Sequence, residues 1–241
     1  MLDSISTESD PDDYAKLFEA RTRPALPAEG LVRLFLGDYP NRPGLPKTGK
    51  VLDLGCGDGR NTSFLASIGF DAVGVDVSNP ILHYARTHHG EAEYLVGSSS
   101  NIPIEKNSVE VLVAWNSINY FGHDNANFSK HFGEVKRVVR VGGYVVMSVP
   151  MRRNFIFDNS SRVHDWPGSR PGEEYMRIES DPWGHRVGEI IGSFSSEEAI
   201  KTSASEAFGG DVWVSSTVSD WFGLDYSWFV VVAQVGGNQG V

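Results

Sequence analysis

From residue 50 to residue 150 the chain alternates short apolar runs with stretches of helical spacing. Apolar runs at 51–54, 71–77, 93–96, 109–115 and 144–149 are too short for buried helices and predict strands. Between them lie helical patterns. One covers 60–68 and stops at Gly69, which can cap a helix C-terminus. A second covers 80–88, with Pro80 in its first turn. A third carries Phe128, Phe132, Val135 and Val139 on one face. Strands that alternate with helices predict an α/β sheet. The pattern then weakens over 151–192, which is rich in Arg, Trp, Pro, Gly and Asp. Forty unpatterned residues between two sheet elements are not expected to be an idle loop. A helix over 194–208 follows, opened by Ser195 or Ser196 with Glu198, and then strands at 212–218 and 228–235. Ahead of the core, residues 1–12 read as a polar leader, 14–23 as a short helix, and 31–36 as the start of another.

The first strand runs into Gly55-Cys56-Gly57-Asp58-Gly59. Alternating glycines let the main chain bend through positive φ and let a ligand approach bare backbone. The next helix points its free N–H groups at the same spot. Asp76 ends the second strand, 21 residues after Gly55, where a carboxylate can accept from both ribose hydroxyls. A ribose-containing ligand is therefore expected. The spacing is G-x-G-x-G, not the dinucleotide G-x-G-x-x-G. Asp53 and Asp58 flank the turn and would repel a pyrophosphate, while a sulfonium bearing an α-amino group would be attracted. The acidic turn argues for S-adenosylmethionine over NAD.

Residues 51–78 resemble the first two cofactor motifs of class I S-adenosylmethionine-dependent methyltransferases. The resemblance continues, in order, through Gly97-Ser-Ser-Ser-Asn-Ile-Pro103, Ser108-Val-Glu-Val-Leu-Val-Ala-Trp-Asn116, and the stretch from Glu134 to Pro150. It implies a Rossmann-like, seven-stranded, mostly parallel sheet whose last strand is antiparallel. Helices would cover both faces, with a lid inserted after strand five. The implied organisation is a leader with cofactor-covering helices at 1–49, a cofactor-binding core at 50–150, the lid at 151–192, and the end of the core sheet at 193–241.

The resemblance also assigns roles. Gly55, Cys56, Gly57 and Asp76 would form the cofactor turn, with Asp53 near the methionine moiety. Val77 would pack on the adenine face, and Ile102 is a second candidate for that wall. Many family members carry an Asp where this chain has Ser98, so the adenine contact would fall to the Ser98 hydroxyl or instead to the backbone at Ser99 and Ser100. Asn116 closes strand four beneath the cofactor. Tyr14 and Arg21 would close over the cofactor from the N-terminal helix, Arg21 pairing with its carboxylate. Neither a proline pair after Asn116 nor a pair of glutamates in that loop is present, which argues against amino-group DNA and protein arginine methyltransferases. A hydroxyl acceptor usually needs a base. His123, His164 and His185 are the candidates, with Tyr120 as a positioning group. His83, His88, His89 and His131 fall on helices or their ends and read as structural. Trp166, Trp183, Trp221 and Tyr226 suggest an aromatic acceptor chamber.

Composition narrows this further. Formal net charge is −10, which disfavours a nucleic-acid partner. No run of about 18 apolar residues is present, so no membrane span is expected. The polar, acidic residues 1–13 do not resemble a secretory signal. Cys56 is the single cysteine, which excludes an internal disulfide and suits a reducing cytoplasm; no spacing suggests a metal site. The expected activity is methyl transfer from S-adenosylmethionine to O or N of a small-molecule acceptor. An NAD-dependent oxidoreductase and a non-catalytic cofactor-binding module are the alternatives.

Overall fold

A computed structural model describes residues 26–41, 43–121 and 126–237. One sheet of seven strands dominates, in the spatial order β3-β2-β1-β4-β5-β10-β9. Its members are β1 (Gly49–Leu54), β2 (Phe70–Asp76), β3 (Glu93–Val96), β4 (Val109–Ala114), β5 (Val139–Pro150), β9 (Gly209–Trp221) and β10 (Leu224–Val235). The first five pair in parallel, and β10 is antiparallel to both β5 and β9. This is the Rossmann-like sheet the sequence pattern implies. Strands β1 and β4 are central and covered on both faces, which is why they read as apolar runs rather than alternating ones.

The helices are α1 (Glu29–Leu36), α2 (Arg60–Ser67), α3 (Asn79–His88), α4 (Phe128–Val138) and α5 (Glu197–Phe208). Successive strand residues feed opposite cores. Val51, Val111 and Val113 pack with Leu31 and Phe35 of α1 and Leu65 of α2. Leu52, Leu112 and Ala114 pack with Phe128, Phe132 and Val135 of α4 and Phe208 of α5. Side-chain hydroxyls and amides start three of the helices. Ser78, Asn127 and Ser196 each accept from the backbone N–H three residues on. Ser196, not Ser195, is thus the α5 cap.

Residues 151–194 hold more order than their sequence pattern predicts. They form a 3-10 turn at Phe155–Phe157 and a three-stranded antiparallel sheet of β6 (Ser160–Arg162), β7 (Glu173–Ile178) and β8 (Ile190–Phe194). Strand β8 crosses the boundary expected at residue 192. It is stitched to the segment after β4: Phe121 N donates to the Ile190 carbonyl at 3.0 Å and Gly192 N to the Asn119 carbonyl at 2.8 Å. The Trp166 indole donates to the Ala126 carbonyl at 2.7 Å. These bonds fix the small sheet beside the C-terminal end of β4. Tyr14, Arg21 and His123 lie outside the described residues. Among the described residues, no helix is long and apolar enough to cross a membrane.

Candidate cofactor and acceptor site

Chain order reverses between β1 and β4, since β2 and β3 build one way and β5 the other. Connections diverge there and leave a crevice at the strands' C-terminal ends. The glycine turn after β1 and residues 115–117 after β4 meet in it. Ser117 Oγ donates to the Leu54 carbonyl at 2.5 Å. A cavity of about 690 Å³ opens from this point, large enough for a cofactor-sized ligand and a small second molecule.

The turn itself is built for close approach. Gly55, Gly57 and Gly59 have φ of 70°, 54° and 82°. A Cβ on Gly55 would collide with Ser117, and one on Gly59 would lie 2.6 Å from the Tyr94 hydroxyl. A Cβ on Gly57 would meet only Ile81 Cδ1, at 3.7 Å, and would otherwise project into the space the cavity occupies. Asp76 braces the turn: Oδ2 accepts from Gly57 N and Oδ1 from Ser78 N, each at 3.0 Å. Burial raises its pKa, and those amide bonds oppose the rise. A carboxylate has about four acceptor positions, so two bonds leave capacity for ribose hydroxyls. Val77 is an exposed valine on the cavity wall, 49% accessible, which suits an apolar surface awaiting a flat ring. Ser98 and Ser99 also line the cavity, and the Ser98 and Ser100 hydroxyls are 3.1 Å apart. Cys56 lines it too, with its thiol pKa pushed up by burial and by the nearby aspartates. Such a thiol is a poor nucleophile, so Cys56 serves as a small turn residue. These groups fit S-adenosylmethionine: a bare-backbone cradle, an acid placed for ribose, an apolar wall, and an acidic turn suited to a cation.

Asp53 is set back from the cavity surface. It is 1% exposed and is not among the cavity walls. Its Oδ2 accepts from Thr62 Oγ1 at 2.6 Å, which turns the carboxylate into the packing between β1 and α2. Burial raises its pKa from 3.8 to about 7 against the opposing Thr62 bond. Any influence on a bound cation is through the field, not by contact. Ile102 is likewise withdrawn, 2% exposed within the core.

Beyond the turn the cavity reaches the 3-10 turn and the loop that precedes β8. Its walls there include Tyr120, Phe155, Trp183, Arg186, Glu189 and Tyr226. The ring of Phe155 stands 5.5 Å from Trp183 and 4.6 Å from Tyr226, forming one aromatic side. Arg186 is held by Asp181 at 2.8 Å, and its Nε lies 3.4 Å from the Tyr120 hydroxyl. His185 also lines the cavity. His164 does not: it is exposed on the segment leading to β7. Trp166 is buried and stacks on Tyr175, 5.4 Å between centroids, and Trp221 is exposed near the β9–β10 turn. Neither belongs to the chamber, whose aromatic side is supplied by Phe155, Trp183 and Tyr226.

His131, read from the sequence as a structural helix residue, lines the cavity. It is 2% exposed, and Nδ1 lies 3.0 Å from the Ile118 carbonyl. A carbonyl only accepts, so Nδ1 carries a proton. The ring stacks on Phe121 at 4.7 Å. Helical spacing put His131 on the buried face of α4 but gave no sign that this face borders a cavity.

Residues 52–147 match the family described as "Methyltransferase domain". That stretch is two fifths of the chain, and over it the chain is similar to S-adenosylmethionine-dependent methyltransferases. The cofactor of this domain is S-adenosylmethionine. A malonyl-[acyl-carrier protein] O-methyltransferase of Pectobacterium atrosepticum is 27% identical over 99 residues, 41% of this chain and 38% of that protein. The chain spans about two fifths of the length of the curated relatives it matches. Solved structures with the same fold cover far more of it. A Methanosarcina mazei S-adenosylmethionine-dependent methyltransferase gives a TM-score of 0.62 at 20% identity, over 88% of this chain and 99% of that one. A Burkholderia thailandensis 1,6-didemethyltoxoflavin-N1-methyltransferase with bound 1,6-didemethyltoxoflavin and S-adenosylhomocysteine gives 0.58 at 14% identity, over 97% and 94%. At such identities the likeness to the structures concerns the fold.

Proposed function

We propose that the chain transfers a methyl group from S-adenosylmethionine to an oxygen or nitrogen of a small, partly apolar acceptor. The observation that carries this reading is the continuity of the cavity from the glycine turn to the Phe155–Trp183–Tyr226 side. One concave space therefore has a cradle for the cofactor at one end and an apolar chamber at the other. The relatives named above include an O-methyltransferase and an N-methyltransferase, which leaves the accepting atom to be read from this chain's own residues.

When bound, the cofactor supplies an electrophilic methyl group with a good leaving group. The protein's task is then mainly positioning and exclusion of water. Gly55, Gly57, Asp76, Val77, Ser98 and Ser99 hold the nucleoside end. Phe155, Trp183 and Tyr226 pack against the acceptor, while Tyr120 and Arg186 orient its polar group. For an acceptor that must lose a proton, the candidate bases are the two histidines on the cavity wall, His131 and His185.

The test is calorimetric titration with S-adenosylhomocysteine, with Asp76→Ala as control, followed by a mass screen of small phenols, amines and carboxylates for a gain of one methyl group. Saturable binding lost in the variant, plus methylation of a screened compound, is the expected result. Binding without methylation of any small compound would favour a macromolecular acceptor or a non-catalytic role. Absence of binding would overturn the reading.

A further inference from the structure

At the end of β4 the backbone takes an uncommon turn. Asn116 has φ of 58°, a left-handed conformation that Asn tolerates better than most residues. Ser148 on β5 holds it there. The Asn116 backbone N–H donates to Ser148 Oγ at 2.8 Å, and Ser148 Oγ lies 2.5 Å from Asn116 Oδ1. Ser148 is fully buried, so its hydroxyl proton needs an acceptor within the protein. The backbone N–H already points at Oγ, so the hydroxyl proton goes to the side-chain oxygen. That fixes the amide: Oδ1 faces Ser148, and the Nδ2 group with its two donors is turned to the opposite side. Ser148 lies behind the wall, whereas Asn116 is exposed and lines the cavity.

The surroundings say what those donors meet. Ser117, next to Asn116, touches the start of the glycine turn at the Leu54 carbonyl and Gly55. Asp58 is buried on the same wall, and Asp53 lies behind it. These acids favour a cation but disfavour the carboxylate of an amino-acid moiety, which needs compensating donors. Four amides of the turn already have partners: Gly55 N and Cys56 N donate to the Val75 carbonyl, Gly57 N to Asp76, and Gly59 N to the Cys56 carbonyl.

We propose that Asn116 donates to the carboxylate of the cofactor's amino-acid moiety, and that Ser148 is a positioning residue acting through Asn116. The proposal rests on the S-adenosylmethionine reading and deepens it. Asn116→Asp is the decisive variant. It keeps the side-chain shape, the tolerance for positive φ and the acceptor for Ser148, but replaces the donors with a carboxylate.

The full chain and its Asn116→Asp and Ser148→Ala variants would be titrated by calorimetry with two probes. One is S-adenosylhomocysteine. The other is 5′-(3-aminopropyl)thioadenosine, the same molecule without its carboxylate. Asn116→Asp is expected to weaken S-adenosylhomocysteine roughly tenfold or more, the scale of one charge-assisted hydrogen bond. The decarboxylated probe should bind as tightly to this variant as to the parent, or tighter. Ser148→Ala should weaken S-adenosylhomocysteine by a smaller factor and leave the decarboxylated probe unchanged. Should Ser148→Ala fail to fold, the Asn116→Asp pair of titrations still decides. Equal losses for both probes, or none for either, would overturn the proposal while leaving the cofactor reading intact. A parent that binds neither probe would overturn both.

Discussion

Asp53 offers the sharpest test of how this site is held together. Its carboxylate is 1% exposed, and burial lifts its pKa from 3.8 to about 7. A carboxyl group raised in the folded state binds its proton more tightly there than in the unfolded chain. Stability from this group is therefore full below about pH 4 and is lost as pH rises through about 7. The whole loss, at 1.36 kcal/mol per pH unit, comes to about 4 kcal/mol. Asn in place of Asp keeps an oxygen to accept from Thr62 Oγ1 but never ionises. It also introduces an NH2 group that costs some stability, but this cost is independent of pH and drops out of the slope. The difference in unfolding free energy between Asp53→Asn and the parent should rise in the variant's favour by about 3 kcal/mol from pH 4.5 to pH 8.5, the part of the loss that falls in that range. In a chain of this size that is a relative gain in Tm of about 10 °C. Urea unfolding at a series of pH values measures it. A flat difference curve would show that Asp53 ionises at an ordinary pH, and that Thr62 and the neighbouring charge of Arg60 compensate its burial fully.

The same ionisation should reach the ligand. A cationic sulfonium favours ionised Asp53, so the preference for S-adenosylmethionine over neutral S-adenosylhomocysteine should grow several-fold from pH 6 to pH 8 in the parent and stay level in Asp53→Asn, by competitive titration. Gly57→Ala has room within the protein but places a methyl group in the cradle at φ 54°. It should fold with a loss of about 1 kcal/mol, read by thermal unfolding, yet lose S-adenosylhomocysteine binding in calorimetry. Gly55→Ala collides with Ser117 and should lose more stability than Gly57→Ala in the same scan. Asp181→Asn removes the charge that holds Arg186. It should leave S-adenosylhomocysteine affinity within about twofold while weakening whichever acceptor the methylation screen identifies, seen as a raised KM.

The sheet was legible in the sequence because its central strands are buried on both faces and its helices carry their apolar residues at helical spacing. Strand β3 falls on 93–96 as expected, and α2 begins at Arg60 as expected. The strands β9 and β10 extend beyond 212–218 and 228–235, because they pair with one another through segments without a regular apolar alternation. Residues 151–192 concealed β6 and β7 for a similar reason. A three-residue strand such as Ser160–Arg162 has no room for a period, and its order comes from pairing with Arg177 and its neighbours.

The turn glycines and Asp76 were legible because one stretch of chain supplies both the bend and the acid at fixed spacing. Asp53 shares that stretch, yet nothing local says which way its side chain turns. Thr62, across on α2, decides it. Nothing local marked His131 as a cavity residue or Ser148 as the partner of Asn116, since each bonds to a residue elsewhere in the chain: Ile118 for the imidazole, Asn116 for the hydroxyl. The sequence by itself determined the succession of strands and helices, the glycine cradle and its acidic character, because these depend on neighbours along the chain. Tertiary structure alone decided which groups border the cavity and which retreat behind it. That choice follows from burial and from hydrogen bonds between segments far apart in sequence.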